Sequence, residues 1–117
     1  MSYQPGTHII ASLQAPSPGL LKQHEGFRKI VEQLINTHGL QKLGEVYHDF
    51  SPAGFTAVIC LSESHISIHT WPEHGLVNLD IYLSNFQRNN NGTTAAIYQS
   101  IKDYFQATIS QEQFLTR

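Results

Sequence analysis

Cysteine, basic clusters and long apolar runs are all scarce in this chain, and each shortage removes a class of function. The single cysteine, Cys60, has no partner for an internal disulfide. Its place in the apolar run AVICL predicts a small buried thiol. Seven Lys and Arg against nine Asp and Glu leave a formal charge of −2 without any basic run, so the electrostatic footprint of a nucleic-acid or anionic-membrane partner is missing. No stretch reaches the length of a membrane span, and the opening MSYQPGTHII has neither the charged segment nor the apolar core of a targeting signal. A soluble, cytoplasmic protein is expected. At 117 residues the chain fits a single domain, 1–117, with one core, close to the size at which partners help. A homo-oligomer is therefore expected.

Internal repeats and low-complexity segments are also absent; the linker-like pieces are APSPG at 15–19 and QRNNNG at 87–92. Leu20, Leu21, His24, Phe27, Val31, Leu34 and Ile35 recur at three- and four-residue spacing and predict one amphipathic helix ending near Gly39. A second helix is predicted from about Thr93, with Ile97, Ile101, Tyr104 and Phe105 on one side. Strands are predicted over 7–13, 40–50, 55–62, 65–71, 76–84 and 108–115 from their β-branched and aromatic content and alternation. A Pro-Glu-His-Gly turn, with Gly75 able to take positive φ, joins the fourth and fifth. The order β-α-β-β-β-β-α-β predicts an α+β fold: a two-layer sandwich of a mainly antiparallel sheet with both helices on one face.

The chemistry-bearing segment is 61–82, LSESHISIHTWPEHGLVNLDIY, preceded by Phe50-Ser-Pro-Ala-Gly-Phe-Thr56. Together these closely resemble the self-cleavage region of the bacterial S-adenosylmethionine decarboxylases, with the likeness covering roughly 7–84. The resemblance implies self-cleavage between Glu63 and Ser64 into chains 1–63 and 64–117, with Ser64 becoming a pyruvoyl cofactor. It implies His69 and Thr56 as processing residues, and Phe50, Pro52, Trp71 and Glu73 as substrate-binding residues. Phe50 and Pro52 would wall the adenine pocket, and Glu73 would take the ribose hydroxyls, for which a carboxylate is a fitting acceptor pair. It further implies a two-layer protomer and a homodimer packed sheet to sheet.

The chemistry fits the residues. Decarboxylating an α-amino acid unit leaves electron density on the α-carbon, and a ketone condensed with the amine as a Schiff base can absorb it. Nothing in the sequence looks like a pyridoxal phosphate site, so the ketone must come from the backbone. A serine hydroxyl can attack the preceding carbonyl, turn the amide into an ester and then leave by β-elimination, giving dehydroalanine that hydrolyses to pyruvoyl. That route requires an oxyanion stabiliser and a base, roles suited to a hydroxyl and an imidazole. On an unbroken strand Ser64 and His69 face opposite sides, so a turn or bulge near Ser64 is expected if both serve one site.

Other readings of the same residues are weaker. His65 and His69 are spaced for a helix, but four strand residues span ~13 Å and no Cys or carboxylate cluster completes a ligand set, so no metal is expected. His8, His24, His38, His48 and His74 read as surface or packing residues. A serine hydrolase would need a nucleophile elbow, which Ser64 lacks. Asn78 and Asp80 share strand parity with Ser84 and make one polar face. At Ser84 the family normally has a cysteine as proton donor; a thiol has an unperturbed pKa near 8.5, and a hydroxyl is a far weaker acid. Three readings stay open: a decarboxylase of S-adenosylmethionine supplying spermidine synthesis, the same scaffold acting on arginine or ornithine, and an uncleaved regulatory or binding homologue.

Overall fold

A computed structural model describes residues 3–85 and 88–117, which leaves Gln87 of the expected 87–92 loop outside the described residues. The elements are β1 (Thr7–Gln14), a 3₁₀ turn (Pro18–Leu21), α1 (Glu25–Thr37), β2 (Lys42–Asp49), β3 (Phe55–Leu61), β4 (Ser64–Trp71), a 3₁₀ turn (Pro72–His74), β5 (Leu76–Leu83), α2 (Asn91–Phe105) and β6 (Thr108–Thr116). The strands form one sheet in the order β2-β3-β4-β5-β1-β6, with every neighbouring pair antiparallel. This is the expected α+β sandwich. Its first strand lies between β5 and β6, far from its sequence neighbours.

Strand alternation divides the sheet into two unlike faces. Ile9, Ala11 and Leu13 of β1, Phe55, Ala57, Ile59 and Leu61 of β3, Ile66 and Ile68 of β4 and Val77, Leu79, Ile81 and Leu83 of β5 are all buried in one core with Phe27, Val31, Leu34 and Ile35 of α1 and Ile97, Tyr98, Ile101 and Phe105 of α2. The Phe27 ring lies 5.7 Å from that of Phe55 and 6.1 Å from that of Phe105, centroid to centroid. One residue thus ties both helices to the sheet, and truncating it to Ala should cost about 3–5 kcal/mol.

Two expectations need correction. Cys60 is exposed, because Ile59 and Leu61 take the core face and period-two geometry sends the residue between them to the other side. The predicted first helix is two pieces, with Leu20 and Leu21 in the 3₁₀ turn and α1 starting at Glu25. The break is held by Asp49 at the end of β2, whose Oδ1 accepts hydrogen bonds from the backbone N–H of His24 at 2.9 Å and from His24 Nδ1 at 3.0 Å. Burial alone would raise the Asp49 carboxyl, but those two hydrogen bonds outweigh it and hold the group below the usual carboxylate range.

Neither α1 nor α2 packs on the second face of the sheet. Val46 of β2 and Val58 of β3 are register partners there, 66% and 44% exposed, and Ile10 of β1 is 40% exposed. The Val46–Val58 pair makes a small apolar patch on β2 and β3, and Ser67 and Asp80, the register partners that lie between Val58 and Ile10, separate it from Ile10. Antiparallel sheets tolerate one face in water, but such a face usually reads polar.

Candidate active site

β3 and β4 are joined by a two-residue turn, Ser62-Glu63, with Leu61 and Ser64 paired across it. Tight hairpin turns favour glycine or asparagine where φ is positive. Here the unusual angle falls on Ser64, at φ 149°, a region that a non-glycine residue occupies at a cost of about 1–3 kcal/mol. This is the irregularity expected near Ser64. Its surroundings hold it in place: the Ser84 N–H donates to the Glu63 carbonyl at 2.8 Å, and Asn90 Nδ2 donates to the Ser84 carbonyl at 2.8 Å. The Glu63 carboxylate accepts from the Ser62 hydroxyl at 2.7 Å and from the Arg88 guanidinium at 3.1 Å. Ser64 Oγ lies 3.2 Å from Nδ1 of His65.

The Glu63–Ser64 peptide therefore has a hydroxyl beside an imidazole and a carbonyl already accepting a backbone N–H. These are the parts an acyl shift requires: a nucleophile, a proton acceptor and a donor aimed at the developing oxyanion. Ser84 contributes through its backbone, a function that composition and motif reading did not reveal.

Beyond His65 the polar face continues. His65 Nε2 is 3.7 Å from Asp80 Oδ2, and Asp80 Oδ1 is 3.2 Å from His8 Nε2. Arg117 Nη1 donates to His8 Nδ1 at 3.2 Å. The sequence shows no carboxylate completing a set of histidine ligands and gives His8 the pattern of a surface or packing residue. Instead His8, His65 and Asp80 each offer an atom within 4.8 Å of the others. Each is unremarkable alone; the order β4-β5-β1 makes them neighbours, and that order is not visible in strand spacing.

At the opposite end of the same hairpin, Thr56 and His69 are register partners, and Thr56 Oγ1 is 2.9 Å from His69 Nδ1. Both line a cavity of about 370 Å³ together with Phe50, Pro52, Ala53, Thr70, Trp71, Pro72 and Glu73, within the range of small-molecule sites. Of these, Phe50 and Trp71 are half-exposed, at 50% and 46%. The floor is pinned by Thr70, whose buried hydroxyl donates to the Leu21 carbonyl at 2.7 Å and accepts the Phe55 N–H at 2.8 Å. Gly54 closes the loop at φ 105°, where an added Cβ would meet the Thr70 carbonyl oxygen at 3.2 Å.

The structure thus gathers the nine expected site residues into two groups. Ser64 and Ser84, with Glu63, lie at the turn; Thr56, His69, Phe50, Pro52, Trp71 and Glu73 lie at the far end of β3 and β4. Five strand residues, ~17 Å, separate Ser64 from His69 within the protomer.

Comparison with known proteins gives the same assignment along most of the chain. The profile of the S-adenosylmethionine decarboxylase family matches residues 7–117. The chain belongs to the S-adenosylmethionine decarboxylase family. The S-adenosylmethionine decarboxylase proenzyme of Archaeoglobus fulgidus is 49% identical over 77 residues, 66% of this chain and 69% of the relative. Proenzymes of the same name from Hydrogenobaculum and Aquifex aeolicus are each 43% identical over 77 residues, 66% of this chain and 58% and 57% of their own lengths. The matched stretch thus spans a little over half of those two relatives. The crystal structure of the adenosylmethionine decarboxylase from Aquifex aeolicus superposes with a TM-score of 0.79 at 28% identity, covering 99% of this chain and 91% of that one. The family is therefore not confined to bacteria, since one of these relatives is archaeal.

Proposed function

We propose that this protein is a self-processing, pyruvoyl-dependent decarboxylase of S-adenosylmethionine, cutting itself between Glu63 and Ser64 into chains 1–63 and 64–117. The observation that carries the reading is the strained Ser64, with its hydroxyl 3.2 Å from an imidazole and the preceding carbonyl accepting the Ser84 N–H at 2.8 Å. The residues present fit a cofactor made in place from the chain. Once formed, the pyruvoyl ketone supplies the electron sink for decarboxylation. Neither a metal nor pyridoxal phosphate enters this reading.

The protein's own groups divide the remaining work. Phe50 and Trp71 offer flat aromatic walls for a purine, and Glu73 offers a carboxylate at the rim of the same cavity for the ribose hydroxyls. His69, held by Thr56, is the base for the elimination step. Because His69 and Ser64 lie ~17 Å apart on one hairpin, a second protomer must bring them together. The exposure of Val46, Val58 and Ile10 on the bare sheet face supports a homodimer packed sheet to sheet, which would bury them. No helix among the described residues is long and apolar enough to cross a membrane, and the proposed setting is the cytoplasm, supplying decarboxylated S-adenosylmethionine to spermidine synthesis.

Denaturing mass analysis of the purified protein tests the maturation. Two fragments are expected, the second blocked by a pyruvoyl group, together with carbon dioxide release from S-adenosylmethionine. A permanently full-length chain would sink the reading. Release from arginine or ornithine alone would keep the maturation and replace the substrate.

A further inference from the structure

We propose that His65, oriented by Asp80, is the base that activates Ser64 for the acyl shift, a step separate from the elimination assigned to His69. The inference rests on the maturation reading above and deepens it. Its first support is distance: His65 Nδ1 is 3.2 Å from Ser64 Oγ in the same protomer, whereas His69 lies five strand residues away. The second is direction. A serine hydroxyl donates to Nδ1 only if that nitrogen is bare, which puts the His65 ring proton on Nε2, the atom 3.7 Å from Asp80 Oδ2.

His8 secures the carboxylate. The Arg117 guanidinium can only donate, so its 3.2 Å contact makes His8 Nδ1 an acceptor and leaves the His8 proton on Nε2, directed at Asp80 Oδ1 at 3.2 Å. Asp80 is thereby held through Oδ1 by the His8 hydrogen bond, and its Oδ2 faces His65 Nε2 at the longer 3.7 Å of an ion-pair contact. The chain Ser64, His65, Asp80 has the order of a nucleophile, a base and an orienting carboxylate.

The step balances without a co-reactant. The Ser64 hydroxyl proton passes to His65 Nδ1 as Oγ bonds to the Glu63 carbonyl carbon, and the oxyanion that forms accepts the Ser84 N–H already placed at 2.8 Å. The C–N bond of the Glu63–Ser64 peptide then breaks, and the departing nitrogen takes the proton back from His65. An ester and a free amine result. While the proton resides on the ring, the imidazolium faces the Asp80 carboxylate, which stabilises it as charge develops.

The test follows full-length chain, ester and cleaved fragments over time by intact mass, with and without hydroxylamine, which cuts the ester. His65→Ala should slow cleavage by about 100-fold or more without accumulating any hydroxylamine-sensitive ester, the reverse of a block at elimination. His65→Gln, which keeps the side-chain bulk, should behave alike and decides the matter if the alanine variant fails to fold. Cleavage of a folded His65 variant at the unmodified rate, or accumulation of ester in it, overturns the proposal. An unmodified chain that never cleaves overturns the maturation reading as well, so the two failures are distinguishable.

Asp80 is a positioning residue, read by the pH profile of the acyl shift. The groups facing His65 are Asp80 and Tyr82 from β5, Cys60 from β3 and His8 from β1 with Arg117 behind it. Asp80→Asn removes the stabiliser of the imidazolium, so the rising limb of the profile should move to lower pH and the plateau should fall about 10-fold. An unmoved profile overturns the role of Asp80.

Discussion

The two ends of the β3–β4 hairpin are built on opposite principles. At the turn end Ser64 carries a strained φ, and the surrounding polar groups are tied to other elements through Ser84, Asn90, Arg88 and the histidine–aspartate chain. At the far end the positive φ falls on a glycine, Gly54, and two half-exposed aromatic side chains border an open cavity. One end resembles a loaded reaction centre and the other a receptor. On the proposed function, separating them along one hairpin lets recognition and backbone chemistry be disabled independently.

The largest effect is expected at the turn. Ser64→Ala should abolish cleavage, because no hydroxyl remains to attack the Glu63 carbonyl, while the far cavity still takes up S-adenosylmethionine; intact mass and equilibrium binding report the two separately. Next, Val58→Glu places a charge at the centre of the bare face, where burial without a partner costs several kcal/mol. Sedimentation should show a monomer, and that monomer should remain uncleaved even though both ends of its hairpin are intact. A cleaved monomer would mean that the ends do not need a second copy. His69→Ala should slow maturation by about 10²–10⁴-fold with the ester accumulating, which hydroxylamine reveals; normal maturation would assign His69 to packing or to substrate chemistry.

Smaller effects sharpen the contrast. Ser84→Cys supplies an acid with an unperturbed pKa near 8.5 at the turn without altering the backbone N–H that contacts Glu63. Turnover on S-adenosylmethionine should rise about 10-fold, and conversion of the pyruvoyl group to alanine should fall; no change would mean that another group delivers the proton. Thr70→Val takes the hydroxyl from beneath the cavity and leaves the Phe55 N–H and Leu21 carbonyl without their partner. It should destabilise the fold by about 1–3 kcal/mol, seen in denaturant unfolding, while cleavage at the distant turn continues at its ordinary rate.

Most of the architecture was legible in the sequence because the strands alternate strongly and the helices carry clear stripes. The long first helix was not, since Leu20 and Leu21 match the helical spacing and only the contact from Asp49, twenty-five residues beyond His24, marks the true start. Cys60 was misjudged because an apolar run such as AVICL can serve a strand with one bare face as well as a buried one. Phe50, Pro52, Trp71 and Glu73, singled out only through the family resemblance, line one cavity, and their contact with substrate belongs to the proposed function. The polar chain through His8 was hidden. Parity puts His65 and Asp80 on one face, but joining them to a histidine more than fifty residues earlier requires knowing that β1 inserts beside β5.

That insertion has a consequence for how the protein would age. A cut at Glu63–Ser64 assigns β1, β2 and β3 to one piece and β4, β5 and β6 to the other, yet the sheet order β2-β3-β4-β5-β1-β6 weaves them. The first piece would be clasped through β3 against β4 and again through β1 between β5 and β6. The pieces would be interlocked rather than merely adjacent, so the mature molecule would keep its shape without a covalent link at the hairpin tip. Once melted, however, it would have to reassemble from two separate chains, a concentration-dependent event. Refolding yield after heating should therefore rise more steeply with protein concentration for the cut form than for Ser64→Ala, making maturation a commitment that unfolding cannot easily undo.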